Sequence, residues 1–242
     1  MLHFHIYAKP SELDILEKQL DKYELLCIKS DRLIVTEHTD EVINVVADFI
    51  IKYLYKNYVK NSLGLKYAYF NADEREMICN QVIFAFDGEN LTDTLKTMYF
   101  DINLHSFVLF MMADDLKILD SEIDKACELM HARREYFDYI RLLKYYADMN
   151  DTEYDTVNVI FGKYGFSVTD AGFREITQSE ADAEIALLDE DNSLVAALIS
   201  LSPNKIIVHG ADNAVGLVID TIVNVFGDKI YMCGGCPHCT RG

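Results

Sequence analysis

The fold class is decided by two short apolar runs, Ile206-Ile207-Val208-His209 and Lys229-Ile230-Tyr231-Met232-Cys233. Between them, Val215, Val218, Ile219, Ile222 and Phe226 lie at helical spacing, with Asp212 or Asn213 as the expected N-cap and Gly227 at the end. Strand–helix–strand units almost always join neighbouring parallel strands through a right-handed crossover. The sequence therefore predicts a C-terminal βαβ unit whose two strands end at one edge of a sheet.

A β-hairpin is predicted before this unit. Residues 156–161 and 165–168 are short β-type runs on either side of Gly162-Lys163-Tyr164. An apolar helix is then expected to end at Leu201, because Ser202-Pro203 cannot continue it. The pattern changes from helical to β-type at Asn150-Asp151, so we place a domain boundary there, with domains 1–150 and 151–242.

The N-terminal part has the pattern of a β-α-β-β-α unit. Residues 2–8 alternate as a half-buried strand, and a helix opens at Pro10-Ser11 with Ser11 as its expected N-cap. A hairpin is centred on Ser30-Asp31, and Asp40 is the expected cap of the next helix. This part therefore predicts a sheet packed on helices.

The middle of the chain is predicted to be helical. Residues 72–86, 91–112 and 115–148 have helical periodicity, and the last range fits one long helix or two helices with a kink. The predicted class is mixed α+β (α/β), with an N-terminal β-α-β-β-α unit, a central helical region, and a C-terminal β-hairpin plus βαβ unit.

Composition excludes several kinds of partner. The chain has 242 residues and a net charge of -18, without a basic stripe, so we expect no nucleic-acid partner and no anionic membrane surface. The longest strongly apolar patch, residues 107–113, is far shorter than the roughly 18 residues of a spanning helix. Residues 1–6 lack the features of a signal peptide. We expect a cytoplasmic protein whose partner is another protein.

The cysteines divide into two groups. Cys27, Cys79 and Cys127 lie in amphipathic segments, as buried reduced thiols of a cytosolic protein do. The other three form the cluster Cys233-Gly-Gly-Cys236-Pro-His-Cys239, in which two Cys-x-x-Cys pairs share Cys236. This spacing lets the thiolates turn towards one ion, so the cluster is a candidate site for zinc or an iron–sulfur cluster.

A tetrahedral zinc site needs a fourth ligand. His238 is inside the motif but is constrained by its neighbour Cys239. His209 is the better candidate, because it follows one predicted parallel strand as Cys233 follows the other. The predicted metal site is Cys233, Cys236, Cys239 and His209.

The cluster also fits two alternatives without a metal, namely thiol chemistry and a mobile tail with three exposed thiols. Cys236-Pro237-His238-Cys239 matches the tetrapeptide of a strong thiol oxidant, but only three residues follow, so the helix of a thioredoxin-like site is not expected. His3 and His5 share a strand face and are expected to be solvated rather than metal-bound.

Two longer stretches resemble the YtxC-like family of sporulation proteins. The first is Arg134-Glu135-Tyr136-Phe137-Asp138-Tyr139-Ile140-Arg141-Leu142-Leu143-Lys144-Tyr145-Tyr146. The second begins with Leu194-Val195-Ala196-Ala197-Leu198-Ile199-Ser200-Leu201-Ser202-Pro203-Asn204-Lys205-Ile206-Ile207-Val208-His209 and continues through residues 221–228 to the cysteines. The resemblance is best over residues 120–239. It implies an intracellular protein of an endospore-forming bacterium, made in the sporulation programme, and it implies no activity, substrate or cofactor.

Two hypotheses about function follow. The chain lacks the P-loop, G-x-G-x-x-G, H-E-x-x-H and G-x-S-x-G motifs. We therefore favour a non-enzymatic interaction or regulatory protein of sporulation with a metal-stabilised C-terminal end. The alternative is a metal- or thiol-dependent enzyme with its site at the carboxyl edge of the C-terminal sheet. Such an enzyme requires an open coordination position.

Overall fold

The structure, a computed structural model, describes residues 3–98, 101–151, 153–163, 165–176, 190–214 and 217–239. The chain divides into two compact units, Met1–Ala132 and Arg133–Gly242. Each unit has its own hydrophobic core. The division falls within one long helix, and the domain boundary near residue 150 stays a prediction.

The first unit contains a four-stranded sheet and most of the helices. Its elements in chain order are β1 (His3–Tyr7), α1 (Pro10–Lys22), β2 (Cys27–Lys29), β3 (Leu33–Glu37), α2 (Asp40–Phe49), a π-helical turn (Ile50–Tyr55), α3 (Lys56–Lys66), α4 (Ala72–Ala85), α5 (Glu89–Lys96), β4 (Asp101–Asn103), α6 (Leu104–Ser106), a second π-helical turn (Phe107–Met111) and the start of α7 (Ala113–Met149). The long helical pattern at 115–148 is thus one helix.

The sheet of this unit has the strand order β2-β3-β1-β4. Strand β1 is antiparallel to β3 and parallel to β4. The predicted helix over residues 91–112 is therefore wrong at its centre. Strand β4 is only three residues long, with Ile102 as its single apolar residue, so pairing with β1 rather than local pattern determines it.

The predicted helix caps near the N-terminus also differ from the structure. Lys9, not Ser11, precedes the first turn of α1, since Pro10 occupies the first helical position. The side chain of Thr39 caps α2 by accepting the Val42 N–H at 3.3 Å, so Asp40 is the first helical residue and not the cap.

The second unit contains the end of α7 and a second four-stranded sheet. Its further elements are β5 (Thr156–Gly162), β6 (Gly165–Asp170), α8 (Glu190–Leu201), β7 (Lys205–His209), a 3₁₀ turn (Ala211–Asn213), α9 (Val218–Phe226), a second 3₁₀ turn (Gly227–Lys229) and β8 (Ile230–Met232). The strand order is β6-β5-β7-β8. Strands β5 and β6 form the predicted hairpin, and β7 and β8 are the predicted parallel pair.

The core of this sheet lies on one face. Val157, Val159 and Phe161 of β5, together with Ile206 and Val208 of β7, are buried against α8, α9 and the end of α7. Because side chains alternate along a strand, Asn158 and His209 lie on the opposite face. The mixed α/β class is confirmed, with a helix-rich first unit and a β-hairpin plus βαβ arrangement in the second.

The expected cap of α9 is wrong. Asp212 and Asn213 belong to the 3₁₀ turn, and α9 begins five residues after Asn213, at Val218. Asn213 instead donates its amide N–H to the Phe161 carbonyl oxygen at 3.3 Å, which ties the turn to β5. Val215 lies outside the described residues.

Within the described part of the chain, every helix is too short or too polar to cross a bilayer.

Candidate metal centre

The carboxyl ends of β7 and β8 place His209 and Cys233 side by side. Val208 is paired with Met232, and the Cys233 N–H donates to the Val208 carbonyl oxygen at 2.8 Å. The parallel pairing thus extends one residue beyond β8. Since neighbouring parallel strands end at one edge, the residue after each strand emerges at the same place, as the sequence predicts.

Four predicted residues come together at this edge. One donor atom from each of His209, Cys233, Cys236 and Cys239 lies within 4.8 Å of all the others. The Cys236 Sγ is 3.7 Å from the Cys239 Sγ and 3.3 Å from Nδ1 of His209, and the Cys239 Sγ is 3.6 Å from the same Nδ1.

These separations fit one tetrahedral ion. Zinc–sulfur bonds of about 2.3 Å and zinc–nitrogen bonds of about 2.0 Å put two bound sulfurs about 3.8 Å apart, and a sulfur and a nitrogen about 3.5 Å apart. A set of three cysteines and one histidine is a common structural zinc set. The four residues therefore fit zinc in their chemistry, and the separations among Cys236, Cys239 and His209 fit it in spacing, with Cys233 within 4.8 Å of each.

The backbone of the cluster turns sharply to bring the sulfurs together. Gly235 has φ 111°, a conformation that L side chains rarely adopt. The Cys239 N–H then donates to the Cys236 carbonyl oxygen at 3.0 Å, which closes a turn around Pro237 and His238. This path of the backbone accounts for the glycine at position 235.

The ring of His209 is fixed by a buried amide. His209 is 3 % exposed and Asn158 is 2 % exposed. Nε2 of His209 is 3.2 Å from Oδ1 of Asn158, while Nδ1 of the same ring faces the sulfurs. The amide N–H of Asn158 donates to the Asp170 carbonyl oxygen at 2.6 Å. The histidine thus has one ring nitrogen held by the protein and one directed at the cluster.

An aromatic side chain, Phe173, packs on the two histidines of this edge. The ring of Phe173 stacks on His238 with centroids 3.8 Å apart and planes 9° apart, and it meets His209 edge-on at 5.7 Å. Phe173 has φ 61°, which is unusual for a bulky residue. Asp170 holds this conformation, because its Oδ1 accepts the N–H groups of Gly172 at 2.8 Å and Arg174 at 2.9 Å. His238 therefore packs on Phe173, and the histidine that joins the sulfurs is His209.

The thiols of the cluster differ in acidity. The backbone N–H of Cys236 and, to a smaller extent, the backbone N–H of Gly210 donate to the Cys239 sulfur and lower its pKa to about 6. For Cys233, the Gly235 N–H lowers the pKa, but burial and the neighbouring thiols of Cys239 and Cys236 raise it more, so its pKa is raised overall. A thiolate at Cys239 suits metal binding, because the thiolate is the form that coordinates.

The other two histidines considered as ligands, His3 and His5, belong to the first unit. Nδ1 of His5 is 2.6 Å from Oδ1 of Asp101, and His3 is exposed on the same strand. His105 pairs with the buried Glu12 at 2.8 Å. Among the described residues, only His209 and the three terminal cysteines form a group that can hold a metal ion.

Two residues of the site were not anticipated from the sequence, namely Asn158 and Phe173. Asn158 interrupts the apolar run Val157-Asn158-Val159-Ile160-Phe161, and a polar residue within a buried strand is a usable signal. Phe173 follows Gly172 in a turn, and its approach to the cluster depends on pairing between β5, β6 and β7, so local pattern contains no such signal.

The fold and the cluster define a mixed α/β protein with a Cys₃His group at the carboxyl edge of its second sheet. The chain belongs to the YtxC-like family, whose model matches residues 40–231. The match begins nearer the N-terminus than the expected 120–239, includes His209 and stops before Cys233. Searches of curated proteins and of solved structures found no match.

Proposed function

We propose that this protein is a non-enzymatic interaction or regulatory protein of sporulation, in which one zinc ion fixes the C-terminal edge of the second sheet. The proposed ligands are Cys233, Cys236, Cys239 and Nδ1 of His209. The observation that carries the proposal is the spacing of these four donor atoms, all within 4.8 Å of one another.

Zinc is favoured over an iron–sulfur cluster by the same distances. The ligands of a multi-iron cluster bind different iron atoms, so their donor atoms must lie farther apart than those around a single ion. Sulfurs 3.7 Å apart, each within 3.6 Å of one histidine nitrogen, match a single tetrahedral centre. The mixed sulfur and nitrogen donors suit the borderline-soft zinc ion.

A structural role is favoured over a catalytic one by the number of protein donors. Catalytic zinc has three protein ligands and keeps a fourth position for water or substrate, whereas structural zinc has four. Here the four proposed ligands would complete the tetrahedron, which would leave no position for substrate activation. This supports the non-enzymatic hypothesis over a metal-dependent enzyme at the same edge.

The ion would tie residues 233–239 to β7. The described residues of this segment form only a turn beyond β8, and β8 itself is three residues long. Because an ion that binds only the folded state stabilises it by mass action, an excess of about 1,000 times Kd contributes about 4 kcal/mol. That is a large share of the stability of a domain of this size.

The role in sporulation rests on membership of the YtxC-like family. The strong negative charge supports a protein partner rather than nucleic acid, because phosphates would be repelled. The three thiols must stay reduced to bind metal, which supports a reducing compartment such as the cytoplasm.

In an endospore-forming host, deletion of the gene should lower the yield of heat-resistant spores. Full sporulation without the gene would overturn this part of the proposal.

The metal is tested on full-length protein purified anaerobically and analysed for bound elements. We expect one zinc per wild-type chain and a loss of zinc in Cys236→Ser and His209→Ala. Cys27→Ser is the matched control, since Cys27 is a half-buried thiol of the first sheet. Wild-type protein without stoichiometric metal, or with iron and inorganic sulfide, would contradict the zinc proposal.

A further inference from the structure

Asn158 is the residue of β5 whose side chain contacts the candidate ligand His209. Its own donor is satisfied by the Asp170 carbonyl oxygen at 2.6 Å, which determines which way the amide is turned. Since the NH₂ group points to Asp170, the amide oxygen must be the atom that faces Nε2 of His209, at 3.2 Å. An amide oxygen only accepts hydrogen bonds, so Nε2 must be the protonated nitrogen of the neutral ring.

This contact decides which histidine nitrogen is available to a metal. In a neutral imidazole one nitrogen carries the proton and the other has a free lone pair. With the proton on Nε2, the lone pair is on Nδ1, which is 3.3 Å from the Cys236 Sγ and 3.6 Å from the Cys239 Sγ. In the other tautomer an N–H group would point at the sulfurs and could not coordinate.

We infer that Asn158 is a positioning residue, which holds His209 in the tautomer and orientation that present Nδ1 to a zinc ion. This role rests on the proposed zinc site and belongs to a residue that is not one of the four proposed ligands. A metal-bound histidine usually donates its second ring N–H to a carboxylate, carbonyl or water, and loss of that partner costs about 10- to 100-fold in metal affinity.

The orientation of Asn158 is itself set by backbone. Asp170 ends β6, and its carbonyl accepts from Asn158, while its carboxylate Oδ1 accepts the N–H groups of Gly172 and Arg174. The same turn carries Phe173 to the edge of the His209 ring. The hairpin β5–β6 therefore holds the hydrogen-bond acceptor of the proposed ligand, and the turn after β6 holds the aromatic ring beside it.

Two substitutions at position 158 separate positioning from general stability. Asn158→Ala removes the acceptor for Nε2 and the donor for Asp170 together. Asn158→Asp keeps an acceptor for Nε2 but places a carboxylate oxygen against the Asp170 carbonyl oxygen. Because a buried acceptor is then left without its donor, Asn158→Asp should lower the melting temperature. Asn224→Ala is the matched control, since its amide donates to Tyr136 at 3.1 Å in the same unit.

The experiment measures zinc affinity of the full chain by competition with a coloured chelator, alongside melting temperature and the ¹⁵N NMR signals of His209. We expect Asn158→Ala to weaken zinc binding by about 10- to 100-fold. Asn158→Asp should bind zinc within a few-fold of wild type although it melts lower, and Asn224→Ala should bind zinc normally. Zinc-loaded wild type should show a protonated Nε2 and a metal-bound Nδ1.

Different results overturn different claims. Wild-type protein that binds no zinc overturns the proposed function and this inference with it. Normal zinc binding by wild type and Asn158→Ala alike overturns the role of Asn158 alone. If zinc affinity falls in proportion to melting temperature in both Asn158→Ala and Asn158→Asp, Asn158 has a structural role only. A zinc ion bound to Nε2 of His209 in the wild type would lead to the same conclusion.

Discussion

The backbone N–H of Cys233 donates to the carbonyl oxygen of Val208 at 2.8 Å, so the pairing of β7 with β8 continues into the cysteine cluster. This bond places Cys233 beside His209. The turn through Gly235 then returns Cys236 and Cys239 to the same edge. The candidate centre is thus an extension of the sheet, and its geometry should respond to changes in the backbone around His209.

Gly210 provides the first prediction. It follows His209 with φ 64°, and a Cβ there would lie 2.6 Å from the Phe161 carbonyl oxygen. Gly210→Ala should therefore lower the free energy of unfolding by at least about 1–2 kcal/mol, the cost of a left-handed backbone alone. It should also weaken zinc binding, because the adjacent ligand must shift. Chemical denaturation and chelator competition measure the two effects.

Gly64→Ala is the opposite control. Gly64 lies within helix α3, and no atom is within 4 Å of a Cβ built there. Alanine should stabilise the helix by about 0.5–1 kcal/mol, since glycine costs more backbone entropy. If Gly210→Ala stabilised the protein as much as Gly64→Ala, a Cβ at position 210 could not lie as close to the Phe161 carbonyl oxygen as the structure indicates.

Much of this arrangement could be predicted from sequence. The apolar runs around residues 206–208 and 229–232 indicate a parallel pair, and Cys-x-x-Cys spacing indicates the cluster, so the position of His209 beside the cysteines could be predicted. Strand β4 could not be predicted, because a segment of three residues with one apolar side chain is too short to show a periodic pattern. Asn158 is marked locally as a polar residue within an apolar strand, but its contact with His209 depends on the pairing of β5 with β7. Phe173 approaches His209 from the turn after β6, and local spacing does not encode this approach.

Thiol acidity gives a prediction for the metal-free protein. The pKa of Cys239 is lowered to about 6, whereas burial raises the pKa of Cys127 to about 11. Iodoacetamide should therefore modify Cys239 rapidly at pH 7 and leave Cys127 unmodified, because the thiolate is the nucleophile. Zinc should protect Cys239. Mass spectrometry of alkylated peptides measures this, and slow, zinc-independent labelling of Cys239 would contradict it.

The same shift has a defined effect on stability. The folded pKa of Cys239 is about 6 and the reference value is 9.0, so between these values the unfolded chain binds more protons. The contribution of Cys239 is fully present above pH 9 and is lost as the pH falls through about 6. The difference in melting temperature between metal-free wild type and Cys239→Ser should grow from pH 6 to 9. A melting-temperature difference that shrinks as the pH rises would contradict a lowered pKa of Cys239.

A buried pair in the first unit gives a test of the fold away from the cluster. The Tyr55 hydroxyl donates to Oδ2 of Asp115 at 2.8 Å, and burial raises the pKa of Asp115. Tyr55→Phe leaves this carboxyl without its donor and should cost about 1–3 kcal/mol of unfolding free energy. Tyr145→Phe, at an exposed position, should cost little. Equal effects of the two changes in urea denaturation would contradict the buried pair.

The ring of Phe173 can be removed without changing any of the proposed ligands. Phe173→Ala loses the stacked contact with His238, worth about 0.5–1.5 kcal/mol, and the edge-on contact with His209, while all four proposed ligands are kept. Zinc should still bind one per chain, but a chelator should remove it faster than from wild type. Phe137→Ala, at an exposed site on α7, is the control. Unchanged release from Phe173→Ala would show that the ring does not shield the cluster.

X-ray absorption at the zinc edge of the anaerobically purified full chain tests the central claim most directly. The predicted first shell is three sulfurs at about 2.3 Å and one nitrogen at about 2.0–2.1 Å. His209→Ala should lose the imidazole contribution. A zinc shell of oxygen and nitrogen only, a spectrum of iron bridged by sulfide, or a chain without metal would contradict a zinc ion held by His209, Cys233, Cys236 and Cys239.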